Sequence, residues 1–205
     1  PPGGPRPPGG GWSELDPVPG PDQVLVPWPA EPLVSRQAVE VAVRVWGPDG
    51  GSEWSEPITV RAGLLARTDW SAGLVRPPRD GDDRCAYLRR EFDASQVVTA
   101  RLYATAQGVY ECLLNGAPIS PDRLAPGWTS YRHRLRDQVH DVTHLVREGR
   151  NTLGIRLADG WFAGRLGWWR GGLRHVYGDR TGVVVQLELT LADGSVQLVT
   201  SDDRW

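Results

Sequence analysis

The sequence contains no lysine and no methionine. All 23 basic residues are arginine, which indicates a biased, GC-rich coding source. The missing methionine leads us to expect a processed or cropped piece of a longer polypeptide. No charged segment followed by an apolar one opens the chain, so no secretion signal is recognised. The location of the protein stays open, with a cytoplasmic one slightly favoured over a secreted one.

Long hydrophobic runs and an excess of charge are also missing. The longest apolar runs are of the kind Val183–Val185, far shorter than the ~18 residues that a membrane span requires. The formal net charge is −2, the pI is about 6.1, and no block of like charges occurs. We therefore predict neither nucleic acid nor a membrane as a partner. With 205 residues, the chain is long enough to form a hydrophobic core without the support of disulfides or a structural metal.

Cysteine and histidine are scarce. Cys85 and Cys112 lie in different predicted strands; a disulfide is conceivable, and two free thiols are the simpler interpretation. His140 and His144 stand four residues apart, but their segment begins as a strand and lacks the glutamate of an H-E-x-x-H motif. No metal site is therefore predicted. Nucleophile-elbow, dinucleotide and phosphate-loop motifs are absent as well.

The first third of the chain reads as a linker followed by a hairpin. Residues 1–22 are rich in proline and glycine, a composition that predicts disorder. From Ala38 to Trp46 apolar and polar residues alternate, which predicts a strand that buries one face. Pro57–Ala62 supplies a second strand. The residues expected on the buried face of the first strand are Val39, Val41, Val43 and Val45.

The remainder alternates between strand-like runs and turn dipeptides, and long amphipathic helices are absent. The turns are Asn115-Gly116, Asp159-Gly160 and Asp193-Gly194, of the types that join adjacent strands. Asp141 or Thr143 is expected to cap one short helical turn that Gly149 closes. The predicted strands are Cys85–Phe92, Thr99–Ala106, Val109–Leu114, Gln138–Val142, Asn151–Leu157, Gly182–Leu191 and Ser195–Thr200.

Six short motifs occur in an order and at a spacing that resemble one family. The motifs are Tyr110–Gly116, Pro126–Tyr131, Asp141–Thr143, Gly149–Gly154, Asp159–Arg165 and Tyr177–Asp179. Together they resemble the N-terminal β-domain of bacterial α-L-rhamnosidases of glycoside hydrolase family 78. The Trp54–Pro57 run is similar to the end of a fibronectin type III-like module, which commonly precedes that domain.

The resemblance implies an all-β fold. We expect a jelly-roll-like, galactose-binding-like β-sandwich over residues 85–205, cropped at its C-terminal end. A partial fibronectin III-like hairpin region is expected over 23–64 and a junction over 65–84. A complete module of that type has about seven strands, more than the ordered residues here supply.

The resemblance also implies the activity of the parent enzyme, which releases terminal L-rhamnose with inversion. Its catalytic acid and base belong to a helical barrel elsewhere in the same polypeptide, so that catalytic domain and a rhamnose-containing glycan are the expected partners. The adjacent acids Asp82-Asp83 and Asp202-Asp203 are expected to be solvated, and we predict no catalytic residue. No cofactor is predicted. Calcium stays open because some relatives carry a calcium-dependent rhamnose-binding module whose ligands do not map onto this chain.

One glycine-rich loop combines flat rings with bidentate polar groups, as a sugar site requires. The alternative is that these rings hold the loop against the sandwich. For the chain as a whole, the alternatives to a non-catalytic region are an autonomous module that binds rhamnose or a related sugar, and a structural or interaction domain. The predicted sugar-binding residues are Asp159, Trp161, Phe162, Arg165, Trp168 and Trp169.

Overall fold

A computed structural model describes residues 11–22, 24–78 and 85–205. The disorder predicted for residues 1–10 lies outside these ranges. Contacts between Cα atoms divide the chain into two compact units, Pro1–Asp69 and Trp70–Trp205. Each unit is described by itself below.

The first unit contains two small antiparallel pairs of strands. Strand β1 (Ala38–Val41) pairs with β4 (Ile58–Arg61), and β2 (Trp46–Gly47) pairs with β3 (Gly50–Gly51). The outer pair has the antiparallel arrangement that the alternating sequence predicted. A 3₁₀ turn at Arg67–Asp69 follows, and Asp69 accepts hydrogen bonds from the Ser35 hydroxyl at 2.5 Å and the Ala66 amide at 2.8 Å.

The prediction that Val43 and Val45 share the buried face of β1 is wrong. The strand ends at Val41, and beyond it the alternation reverses, so that both valines are exposed. The inward position is taken by Arg44, whose guanidinium lies 4.7 Å from the ring centroids of both Trp46 and Trp54. Stacking between two rings lets this cation leave water, because the negative faces of the rings attract the charge.

The second unit is built almost entirely from strands. The regular strands lie close to those predicted, and Val109–Leu114 and Gly182–Leu191 have the predicted bounds. Short turns lie at Thr143–Leu145 and Trp169–Gly171, and a single helical turn, α1, spans Gly160–Ala163. The strands are β5 (Ala86–Ala94), β6 (Val97–Gln107), β7 (Val109–Leu114), β8 (Ala117–Pro118), β9 (Gln138–Asp141), β10 (Gly149–Ala158), β11 (Gly182–Leu191) and β12 (Val196–Thr200).

These strands form two four-stranded sheets, in the orders β5-β10-β7-β8 and β12-β11-β6-β9. Every pair is antiparallel. Alternate residues of the central strands face one common core, because side chains change sides at each step along a strand. Leu153, Ile155 and Leu157 of β10 and Val183, Val185 and Leu187 of β11 are almost fully buried there. The predicted all-β sandwich is confirmed.

The outer face of the second sheet is also covered, by the segment 70–75. The Trp70 ring meets Tyr103 edge-on, with centroids 6.3 Å apart. The Ser71 amide donates to the Gln186 side chain at 2.7 Å, and Val75 pairs with Val183. Buried polar side chains on this face therefore have partners, which is the condition for burying them.

The predicted turn after β9 spans Thr143–Leu145. The Asp141 carboxylate accepts hydrogen bonds from the Thr143 amide at 3.0 Å and its hydroxyl at 2.6 Å. The Thr143 hydroxyl oxygen accepts in turn from the Ala100 amide at 2.9 Å, which fixes the turn to β6. Gly149 does not close this turn, contrary to expectation, because it begins β10. Both cysteines are free: Cys85 is exposed and Cys112 is buried, which raises the pKa of the Cys112 thiol to about 12.

Candidate functional site

Two loops of the second unit meet through their aromatic rings. The first loop contains residues 126–137, and the second joins β10 to β11. Trp128 stacks on Trp161, with ring centroids 6.1 Å apart and planes 8° from parallel. Tyr131 contacts Phe162 and Tyr177, with centroids 5.3 Å and 5.1 Å away. We call these five residues the aromatic cluster.

Phe162 anchors this cluster to the sandwich. Its side chain is 5% exposed, and in α1 it points inward with Ala163, whereas the preceding Trp161 is only partly buried. A Cβ atom at Gly178 would collide with the Phe162 ring, so glycine is the residue that leaves room for it. The short helical turn therefore directs the Phe162 ring into the protein, and its contact with a sugar stays a prediction.

The polar candidates Asp159 and Arg165 are engaged within their own loop. The Asp159 carboxylate lies 2.7 Å from the guanidinium of Arg174. Arg165 donates to the carbonyl oxygen of Gly171 at 2.6 Å. Both side chains remain partly accessible, so each still has hydrogen-bonding capacity for a polar ligand.

Trp168 lies apart from the aromatic cluster, at the tip of a small hairpin. The amides of Leu166 and Leu173 each donate to the other's carbonyl oxygen at 2.8 Å, which closes the hairpin. Trp168 is 99% exposed and Leu173 is 72% exposed. The side chain of Trp169 lies outside the described part of the structure. Of the predicted residues whose side chains the structure describes, Trp161 and Phe162 belong to the aromatic cluster.

A wide groove of about 1040 Å³ opens beside the aromatic cluster. It is lined by residues 128–130 and 132–137 together with Tyr177. The chain turns at Ser130, whose carbonyl accepts from the amides of His133 at 2.7 Å and Arg134 at 3.0 Å. The Thr105 hydroxyl donates to the Arg136 carbonyl at 2.6 Å and fixes the far end of the segment to β6.

The groove is lined by positive charge that our sequence analysis did not single out. Arg132, Arg134 and Arg136 are exposed and line it, and Asp137 is the one acid among its lining residues. Within the described residues, none of these three arginines forms an ion pair. The signal in the sequence was an arginine at every second position from 132 to 136, which net charge alone conceals.

Tyr131 lies between two groove residues in sequence, Ser130 and Arg132, but its ring packs in the aromatic cluster. Burial raises the pKa of its phenol, and the neighbouring Tyr177 adds to this effect. Its hydroxyl donates to the Gly127 carbonyl oxygen at 3.3 Å. The ring therefore connects the first loop to Phe162 and Tyr177 of the second.

Several other carboxylates of the unit form ion pairs on its surface. Glu111 lies 3.1 Å from Arg123 and 3.3 Å from Arg156. Asp202 is bound by Arg204 and lies 3.9 Å from Arg90. The pair Asp82-Asp83 lies outside the described residues.

A smaller cavity of about 240 Å³ lies beside Glu111 and also receives Tyr110 and His140. The Tyr110 hydroxyl lies 2.9 Å from the Gln138 side-chain oxygen, and burial lowers the pKa of His140. Burial thus disfavours the charged forms of both the Tyr110 phenol and the His140 imidazole, because it raises the pKa of the first and lowers the pKa of the second.

Among residues 11–22, 24–78 and 85–205, no group of three or more His, Cys, Asp or Glu side chains is arranged to hold a metal ion. Within the same residues, no helix has the length and apolar character needed to cross a membrane.

Each of the two units contains a segment that matches a known protein family. The family model "Alpha-L-rhamnosidase N-terminal domain" matches residues 95–205. Residues 11–66 match "Rha78A-like, N-terminal immunoglobulin domain", which shares its sandwich architecture with the fibronectin type III module expected from the sequence.

Three proteins that align with most of this chain are all α-L-rhamnosidases. An α-L-rhamnosidase of Formosa agariphila is 37% identical over 89% of this chain, and one of Streptomyces avermitilis is 47% identical over 74%. A crystal structure of α-L-rhamnosidase from Aspergillus terreus is 40% identical, covers 90% of this chain and superposes with a TM-score of 0.79.

All three relatives are much longer than this chain. The aligned residues cover 21% and 15% of the two curated sequences and 22% of the crystallised chain. In the relatives this region is therefore one part of a larger polypeptide. Because the N-terminal domain model covers more than half of the residues and matches their β-sandwich, the chain belongs to the α-L-rhamnosidase N-terminal domain family.

Proposed function

We propose that this chain is the non-catalytic N-terminal region of an α-L-rhamnosidase. Another part of the same polypeptide releases terminal L-rhamnose, and the chain supports that part and contacts the glycan. The domain limits belong to the proposal: a linker at 1–22, an immunoglobulin-like or fibronectin-like region at 23–64, a junction at 65–84 and a β-sandwich at 85–205.

The composition of the groove is the observation that carries this proposal. Glycoside hydrolysis generally uses two carboxyl groups about 5–9 Å apart, one on each side of the bond that breaks. Among the groove's lining residues, Asp137 is the one acid. The nearby Asp159 is held by Arg174. These residues suit contact with a ligand better than cleavage of one.

Contact with a glycan is supported by the exposed aromatic surface. Sugars present apolar C–H faces, which pack on flat rings, and hydroxyls, which need bidentate polar groups. Trp128 is 52% exposed and is held flat by its stack on Trp161. Asp159 and Arg165 supply polar groups on the same loop as Trp161. An autonomous sugar-binding module would use the same surface.

Titration of the chain with L-rhamnose and with a rhamnosyl disaccharide tests the contact. We expect saturable heat and a change in tryptophan fluorescence at millimolar sugar. Trp161→Ala should weaken binding about 3- to 10-fold, since one aromatic platform is lost. Trp28→Ala in the first unit is the matched control. Repeating the titration with calcium and with a chelator tests calcium dependence. No heat and no fluorescence change at millimolar sugar would leave only the supporting role.

A second candidate function is protein contact, and the exposed hairpin favours it. Trp168 and Leu173 present apolar surface that no residue of the unit covers in the part described. Such exposed surface is typical of interfaces, here with the remainder of the same polypeptide. Light scattering should show concentration-dependent association of the isolated chain, reduced by Trp168→Ser. A strictly monomeric chain at all concentrations would contradict this role.

A further inference from the structure

We propose that the groove formed by residues 128–137 and Tyr177 binds the acidic groups of a glycan, namely a sugar carboxylate or a sulfate ester. This inference rests on the proposed glycan contact and makes it specific, because it names the ligand's charge and the residues that read it. The residues that bind the anionic group are Arg132, Arg134 and Arg136.

These three cations have no counterion within the described residues. Elsewhere in the same unit several arginines are paired with acids, as Arg156 is with Glu111 and Arg174 is with Asp159. The net charge of the chain is only −2, so the positive charge in the groove is a local concentration and not an overall excess. Unpaired like charges around one concave surface attract an anion and raise its local concentration.

The segment that carries the arginines has a fixed backbone and exposed side chains. It is held at the Ser130 turn and, through the Arg136 carbonyl, on β6. Its side chains are exposed while its backbone is fixed, which reduces the entropy lost when a ligand is bound. Planar guanidinium groups bind carboxylate and sulfate-like oxygens with two parallel hydrogen bonds.

An apolar ring and a hydroxyl beside the cations indicate that the anion is part of a sugar. Trp128 lines the same groove and is held by its stack on Trp161, so a flat apolar platform lies beside the cations. Thr129 also lines the groove, and its buried hydroxyl has no hydrogen-bond partner among the described residues. An acidic sugar offers an apolar face, hydroxyls and an anionic group together, which matches this combination.

Nucleic acid fits the groove less well. A sequence pI of about 6.1 and three arginines in one groove fall short of the extended basic surface by which proteins follow a phosphate backbone. We therefore assign the groove to a glycan and treat binding of an oligonucleotide as an outcome of the test.

Calorimetry with matched ligands tests the assignment. The probes are a rhamnose–glucuronic acid disaccharide, the same disaccharide with its carboxyl reduced to the alcohol, and a sulfated rhamnoside with its unsulfated form. We expect the anionic member of at least one pair to bind about 10-fold tighter than its neutral partner at low salt. The preference should decrease as salt is raised, because exposed charges are screened.

Variants connect that preference to the groove. Arg132→Ala combined with Arg134→Ala should reduce the ratio of anionic to neutral affinity from about 10 towards 1, since one of the three cations, Arg136, remains. Arg150→Ala, an exposed arginine on β10, is the matched control and should leave the ratio unchanged. Unchanged melting temperatures show that the variants fold.

Three results would overturn the assignment: equal affinity for both members of each pair, a ratio that survives the double substitution, or an oligonucleotide of equal charge that binds as tightly as the acidic sugar. Failure of the general glycan contact looks different. If neutral sugars give no signal while an acidic one binds through the arginines, the groove assignment stands and the contact through the rings is wrong.

Discussion

The two asparagines of the chain, Asn115 and Asn151, are hydrogen-bonded to each other through their side-chain amides. The Asn115 Nδ2 donates to the Asn151 Oδ1 at 2.8 Å. Asn115 Oδ1 accepts from the Thr152 amide at 2.9 Å, and Asn151 Nδ2 donates to the Arg147 carbonyl at 2.7 Å. This network ties the turn after β7 to the start of β10.

Replacing Asn151 should therefore destabilise the second unit strongly. Asn151 is 1% exposed, and Asn151→Ala removes its bonds to Asn115 and to the backbone around Arg147. Buried groups left without partners cost about 1–3 kcal/mol each. We expect the free energy of unfolding to fall by about 3 kcal/mol, measured by urea denaturation.

The neighbouring Arg150 is the control for this change. Its side chain is 77% exposed and lies 3.9 Å from Glu91, so Arg150→Ala should change the free energy of unfolding by about 0.5 kcal/mol or less. Equal effects of the two substitutions would show that the asparagine pair does not stabilise the fold.

Gly178→Ala should displace Phe162 and loosen the aromatic cluster. A methyl group at this position meets the Phe162 ring, and overpacking of this kind costs about 1–3 kcal/mol. Phe162→Leu in the same chain should recover part of the loss, because a smaller side chain leaves room for the methyl group. A double-mutant cycle in thermal unfolding measures the coupling. Strictly additive effects would exclude the contact as their cause.

Acid should remove the contribution of Asp141 to stability. Burial acts to raise the pKa of Asp141, but hydrogen bonds from Thr143 and the ion pair with Arg101 outweigh it and lower this pKa to about 2, from its ordinary value of 3.8. Because the folded-state pKa is depressed, the stabilisation is present above pH 3.8 and is lost as the pH falls towards 2.

Asp141→Asn makes this dependence measurable. At pH 6 the variant should be about 1 kcal/mol less stable than the parent chain, since its neutral amide loses the ion pair with Arg101 and accepts weaker hydrogen bonds from Thr143. The difference should shrink between pH 4 and pH 2.5, in urea unfolding at each pH. Asp203→Asn, at an exposed acid, controls for the loss of one negative charge. A difference that stays constant with pH would contradict the assignment.

The regular part of the fold could be predicted from the sequence because strand alternation and turn dipeptides are local signals. Val109–Leu114 and Gly182–Leu191 were predicted with their observed bounds for this reason. The reversal of alternation after Val41 could not be predicted, since it depends on Trp46 and Trp54 folding back onto Arg44.

The candidate site was predicted only in part. Glycine-rich sequence around Trp161 marked the loop, but its composition did not show that Phe162 turns inward while Trp161 stacks on Trp128. The groove was missed because its arginines are distinguished by forming no ion pair with any described residue, which depends on the folded structure. Sequence separation does not reveal that property.

We propose that the hydrolytic reaction takes place in another part of the polypeptide. A direct assay of this chain tests that proposal. With 4-nitrophenyl α-L-rhamnoside as substrate, the isolated chain should release nitrophenol at the uncatalysed rate. Turnover above that rate, abolished by Asp137→Asn or Asp159→Asn, would place catalysis in this β-sandwich and contradict the account.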